Sequence, residues 1–273
     1  MDSAFYVETA LAFQGTGADA ELVASVRSEP ACGGPWSDDL QHGGPPTALL
    51  VRMAERLARQ ATDRDDLTAL RVAAEFVGTV PVSDLAIRAR ITRFARSAVL
   101  VSAELEAAGR PCLQARIWLL SHPGSVDREP ADSAYAKSDP PGSSSAFAGW
   151  TFPYVRHLDW RLVSGTATEP GPAAAWVAPR VPLILGERLS SLQRAALIAD
   201  SASGISAELD WAHWSFPNVD LDLHLLRPMT GEWLLMDART LLGDGAAMTR
   251  SVLSDSIGEV GAGLQTVLVR PRT

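Results

Sequence analysis

Apolar residues recur along this chain with two different periods. Residues 47–60 carry the helical one. Leu49, Leu50, Met53 and Leu57 fall on one side, and Arg52, Glu55, Arg56 and Arg59 on the other. Pro45 and Pro46 suit the first turn of that helix. Residues 5–13 and 21–28, separated by Gly15, Thr16 and Gly17, read instead as strands. So do 67–77, 84–94, 98–107 and 111–120, with turn residues such as Gly78, Pro81, Ser83 and Gly109 between them. The predicted order is two strands, one helix, four strands.

The same order then returns. Residues 154–163 and 173–185 read as strands, 190–204 as a helix, and 216–226, 232–242, 247–254 and 259–270 as strands. Pro81 and Pro228 punctuate matching turns, and Gly109 and Gly258 open matching last strands. This is a repeat of pattern rather than of residues. Residues 121–150, rich in Pro, Ser, Gly, Asp and Ala, have linker composition, with Tyr135 and Phe147 as candidate docking side chains. The expected organisation is 1–120, a linker 121–150, and 151–273. Strands wrapped around one helix, twice over, make two α+β layers packed as a pseudo-dimer.

The second helix, SSLQRAALIADSASG, carries the first chemical signal. Ser190 or Ser191 can cap it. Ala195, Ala196, Leu197, Ile198 and Ala199 make it apolar all round, so it is buried. Asp200 follows at once. A carboxylate there is costly unless it is hydrogen-bonded. Asp200 is therefore either a locally satisfied structural acid or a site residue.

Composition narrows the classes. With 273 residues, 47% of them hydrophobic, the chain can bury a proper core. Its net charge is −8 and no basic patch stands out, which argues against nucleic acid and anionic membranes as partners. Cys32 and Cys112 form neither a disulfide framework nor a zinc pattern, and read as buried small residues. The first ten residues lack a basic stretch followed by an apolar run. No stretch of about 18 apolar residues occurs. A cytoplasmic protein without membrane insertion is expected. Asp220, Asp222 and His224 share one strand face, read as solvated rather than as a metal site. No Gly-x-Ser-x-Gly elbow or phosphate loop is present, and no cofactor is expected.

Three stretches together carry a family resemblance. They are QHGGPPTALL at 41–50, ADS at 199–201, and the pair FPNVDLDLH at 216–224 and AGLQT at 262–266. With their order and spacing, the chain resembles the thioesterase-like superfamily containing the acyl-CoA thioesterase II enzymes. The resemblance implies a double hotdog fold of class α+β: two tandem repeats, each a curved antiparallel sheet around a central helix. It also implies a hydrolase for acyl-CoA or another acyl thioester. The family attributes hydrolysis to an Asp on the second helix, a Thr or Ser on the next strand and a Gln on the last strand. Asp200 and Gln265 match, whereas Asn218 stands where the hydroxyl residue would be.

A thioester needs a positioned water, a base and donors for the oxyanion. Asp200 would be the base, with Gln265 and Asn218 holding the water and the carboxylate. His42, Gly43 and Gly44, at the start of the first helix, would bind the oxyanion or substrate. Strict alternation puts Asn218 on the face of Asp220 and Asp222, so a bulge near Pro217 is needed to aim it at Asp200. Two alternatives stand beside the hydrolase. One is a non-catalytic acyl-thioester binding or scaffold protein, kept open by Asn218. The other is a hydratase, ranked last because no histidine neighbours Asp200 along the helix. Exposed sheet edges leave a homo-oligomer open.

Overall fold

The two periods become two kinds of element in the computed structural model, which describes residues 4–121, 140, 150–166 and 169–272. Tyr135, Phe147 and nearly all of the 121–150 linker lie outside the described residues. In the first half the elements are β1 (Tyr6–Gln14), β2 (Glu21–Ser28), α1 (Gly44–Thr62), β3 (Leu67–Phe76), β4 (Asp84–Phe94), β5 (Ala98–Ala107) and β6 (Arg110–Ser121). In the second they are α2 (Pro153–Arg156), β7 (Leu158–Ser164), β8 (Ala173–Pro179), α3 (Ser191–Ala199), α4 (Ala202–Ile205), β9 (Trp214–Ser215), β10 (Asp220–Leu225), β11 (Leu234–Leu242), β12 (Ala246–Asp255), β13 (Gly258–Leu268) and β14 (Arg270–Pro271).

Twelve strands form one antiparallel sheet in the order β1-β2-β4-β5-β6-β3-β10-β13-β12-β11-β8-β7. Read from the middle outward, the order is the same in both halves. The pseudo-dimer is thus joined by β3 against β10, with Val72 opposite Leu223 and Ala74 opposite Leu221. Strict alternation on β4, where Leu85, Ile87, Ala89 and Ile91 are buried, turns one face onto the helices.

Both central helices lie inside the sheet's curve and pack on each other. Leu49, Leu50, Met53 and Leu57 of α1 are fully buried, as are Leu192 and Ala195 to Ala199 of α3. The pair runs antiparallel at close range. A Cβ on Gly44 would stand 2.1 Å from the Leu197 carbonyl oxygen, so only glycine fits. Ser190 is the cap of α3, accepting the Gln193 N–H at 3.2 Å.

Four predicted boundaries move, each for a local reason. Residues 154–163 begin not as strand but as α2, because Pro153 sets a helical first turn. The strand predicted over 173–185 stops at Pro179, with Pro182 ahead of it unable to donate to a ladder. The helix predicted over 190–204 breaks after Ala199 and resumes as α4. The strand predicted over 216–226 starts only at Asp220.

Candidate active site

The break in the second helix builds the site. The last carbonyls of a helix lack internal partners. Here side chains supply them. The Tyr154 hydroxyl donates to the Leu197 carbonyl at 2.6 Å. Asn218 Nδ2 and Gln265 Nε2 donate to the Asp200 carbonyl at 2.9 and 3.0 Å. These amides hold Asp200 by its main chain at the end of α3.

Its side chain is held as firmly. Asp200 is only 5% exposed. Oδ1 accepts from Asn218 Nδ2 at 2.8 Å, and Oδ2 lies 3.0 Å from His42 Nδ1. Asn218 is itself fixed by Ser203, whose hydroxyl donates to Asn218 Oδ1 at 2.8 Å. The required bulge is present. Asn218 stands opposite Val267 while Asp222 stands opposite Leu264, so four steps on one strand face three on the other. Val219 then points outward, 38% exposed, and Asn218 inward.

His42 arrives from the loop before α1, in the other half of the chain. No histidine neighbours Asp200 in sequence, and on that ground the pairing was not expected; the fold supplies it across the pseudo-dimer. The ring stacks on Tyr154 at 3.8 Å with 5° between planes. Burial pushes its pKa below the usual 6.5, with Asp200 pulling the other way, so the ring is neutral near pH 7. Nδ1 is also 3.2 Å from the Gly44 N–H. That N–H donates to Nδ1, so in the neutral ring the proton sits on Nε2, and the 3.0 Å approach to Oδ2 is a close contact rather than a hydrogen bond.

Gly43 and Gly44 do different work. Gly43 caps α1 and borders the cavity, and a Cβ there would lie 2.8 Å from Asp200 Oδ2 and 2.5 Å from the Phe76 ring. Gly44 is spent on the contact with Leu197 and is not on the cavity wall. Gln265 is 2% exposed and also off the wall, behind Asp200; its Oε1 is buried without a hydrogen-bond partner.

A cavity of about 330 Å³ opens in front of Asp200, His42, Gly43 and Asn218. Its other walls are largely apolar, from Leu40, Phe76, Val80 and Phe216 among others. Sequence reasoning missed Tyr154, Ser201 and Ser203. Ser201 lies 3.0 Å from the Tyr154 hydroxyl and on the wall. The only available signal was their position, on a Pro-led turn and just past Asp200.

The acidic face of β10 is engaged elsewhere. Asp220 accepts from the backbone and hydroxyl of Thr266, and Asp222 pairs with Arg71 at 3.0 Å. Among the described residues no cluster of three His, Cys, Asp or Glu could hold a metal ion. Nor is any helix among them long and apolar enough to cross a membrane. Cys32 and Cys112 are both buried and free.

Solved structures of the same fold cover nearly the whole chain. A hot dog fold protein of unknown function from Alicyclobacillus acidocaldarius superposes with a TM-score of 0.73 at 16% identity, covering 97% of each chain. The tesB protein of Mycobacterium avium subs paratuberculosis gives 0.67 at 12% identity, covering 95% of this chain and 96% of that one. Acyl-CoA thioesterase II TesB2 of Mycobacterium marinum gives 0.65 at 15% identity, covering 96% of each. No curated protein matches the chain. The fold is therefore a double hotdog. The family model for the acyl-CoA thioesterase N-terminal domain matches residues 33–120, and that for the C-terminal domain matches 130–269, over half of the chain. On that match the chain belongs to the acyl-CoA thioesterase family.

Proposed function

We propose that this protein hydrolyses acyl-CoA or a related acyl thioester with Asp200 as the general base. The observation that carries the reading is a buried carboxylate, fixed by Asn218 and flanked by His42, at the edge of an apolar cavity. Water bound at Asp200 attacks the thioester carbonyl carbon while the carboxylate takes its proton. The tetrahedral intermediate collapses with cleavage of the C–S bond. The proton passes from Asp200 to the leaving sulfur, giving a free acid and a thiol.

Each neighbour has a role in this scheme. Asn218 orients the carboxylate by donating to Oδ1, His42 flanks Oδ2, and Gln265 holds the main chain that carries them. At the N-terminus of α1, Pro45 and Pro46 carry no N–H and the Gly44 N–H is taken by His42, so that end offers the oxyanion the Gly43 N–H and the positive end of a helix dipole. Asn218 replaces a hydroxyl donor by an amide donor and still reaches Oδ1, which weighs against a purely binding protein.

The Asp200–His42 pair is also an acid–base arrangement that a hydratase could use. One assay separates the readings. The protein is given saturated and enoyl-CoA thioesters in isotopically labelled water. Hydrolysis releases thiol and puts one label in the product carboxylate. Hydration of the enoyl double bond without thiol release would point to the hydratase. Thermal stabilisation by acyl-CoA with neither reaction would point to the binding protein.

A further inference from the structure

Six aromatic side chains line the cavity that Asp200 borders: Trp36, Phe76, Trp150, Phe152, Trp211 and Phe216. They are not a loose set. Trp36 stacks on Trp211 with centroids 5.4 Å apart and 25° between planes. Phe216 stands edge-on to Trp36 at 5.4 Å and to Trp211 at 4.3 Å. Trp150 meets Trp211 at 5.2 Å and 66°, and Phe152 at 5.7 Å. Because Phe216 and Trp150 are steeply tilted to Trp211 while Trp36 stacks on it, the wall presents both faces and edges.

Two glycines let this wall close up. A Cβ on Gly204 would meet Trp150 at 3.2 Å and Trp211 at 3.6 Å, so both rings lie on bare helix backbone. A Cβ on Gly43 would run into Phe76 and Asp200 together, so the Phe76 ring and the carboxylate converge on one point. A carbonyl carbon placed for attack beside Asp200 therefore puts one of its two substituents next to Phe76, and an apolar ring suits the acyl group better than the polar thiol carrier.

The cavity, about 330 Å³, is at the low end of the ~300–1,000 Å³ range of ligand pockets. A second cavity of about 790 Å³ shares Trp36, Trp150, Phe152 and Trp211 with it, and adds charged side chains including Arg156, Arg272, Asp38 and Asp210. The polar part of a thioester, its thiol carrier, suits the larger, charged space, and the acyl group the smaller one that Phe76 and Phe216 close beside Asp200.

Resting on the hydrolase reading, we propose that the preferred substrates carry aryl or arylalkyl acyl groups rather than straight alkyl chains. A ring gains offset or edge-to-face contacts with this wall beyond the area it buries, and an alkyl chain does not.

The test uses the carbon-matched pair phenylacetyl-CoA and octanoyl-CoA. Wild type is expected to favour the aryl thioester about tenfold in kcat/KM, the worth of about one or two ring pairs. Trp211→Leu and, separately, Phe76→Leu keep apolar bulk but remove a ring, and each should bring that ratio toward unity. Equal or better turnover of octanoyl-CoA by wild type would overturn the aryl preference and leave the hydrolase standing. The same pair is also compared by calorimetric binding as thioether analogues, in which a methylene separates carbonyl from sulfur. Tighter binding of the aryl analogue with no turnover of either thioester would keep the aryl preference and overturn hydrolysis. No difference in analogue binding would count against the aryl preference directly.

Discussion

Two carboxylates sit where α1 meets α3, at opposite ends of the helix pair. Glu55 accepts from the Ser190 hydroxyl at 2.6 Å and from the Gln193 amide, both on the first turn of α3. Burial raises its pKa above 4.5, and those two donors pull it back. Beside it Arg52, 2% exposed, is clamped by Glu187 at 2.6 Å and Glu8 at 2.8 Å. Glu55, Ser190 and Gln193 bond to one another inside the helix packing and border no cavity among the described residues, although Glu187, 41% exposed, reaches a surface cavity of about 510 Å³. Asp200 at the other end is buried too, but its Asn218 donor and its His42 neighbour come from a bulged strand and from a loop of the other half. Those same segments form the cavity wall. Burial and hydrogen bonding thus do not distinguish a site from a staple. What distinguishes them is whether the holding groups also enclose space for a ligand.

Substitutions at each end sharpen that contrast. The largest effect is expected from Gly44→Val, whose Cβ has no room against the Leu197 carbonyl. A cost of at least about 3 kcal/mol should lower the thermal midpoint by roughly 6–12 °C. Arg52→Met keeps the stem but leaves Glu8 and Glu187 only the longer contacts with Arg56 at 3.5 Å, and should cost about 2 kcal/mol in denaturant unfolding with kcat unaltered. Asn218→Ala removes a donor from Oδ1 and is expected to lower kcat about tenfold, whereas Asn218→Ser should recover most of it. Equal losses in the two variants would mean that the donor is not what matters.

Acid should weaken the Asp200 end through His42. Its folded pKa lies below the unfolded value of 6.5, so in that interval the unfolded chain binds a proton that the folded one does not. Stability then falls as pH drops from 6.5 through the lower folded value, and His42→Gln should remove that part of the slope in a pH series of unfolding midpoints. The smallest effect belongs to Glu55→Gln. It should change stability near pH 7 by less than about 1 kcal/mol and kcat by less than about twofold.

The repeat, the helix α1 and the buried Asp200 were legible because each rests on local periodicity. Leu49, Leu50, Met53 and Leu57 show helical spacing whatever they touch, and the block before Asp200 marks a buried turn. The bulge at Asn218 was legible as a geometric need once Asn218 and Asp200 were paired. The single continuous sheet was not, since the pairing of Val72 with Leu223 spans the two halves. The His42 contact was hidden for the same reason. It joins a loop of one half to a helix end of the other, and no spacing encodes that. Of the eight tryptophans in the chain, Trp36, Trp150 and Trp211 come from three separated loops, so the aromatic wall exists only after folding.

The most direct test of the central claim is thiol release from acyl-CoA by Asp200→Asn, measured beside Glu55→Gln and wild type. Asparagine preserves the size and most of the hydrogen bonds of Asp200 but cannot take a proton. The account predicts a loss of about a hundredfold or more in kcat for Asp200→Asn, an unchanged thermal midpoint, and near wild-type turnover for Glu55→Gln. Asp200→Asn turning over at close to the wild-type rate would show that the carboxylate at the cavity is as structural as the one at the far end of the helices.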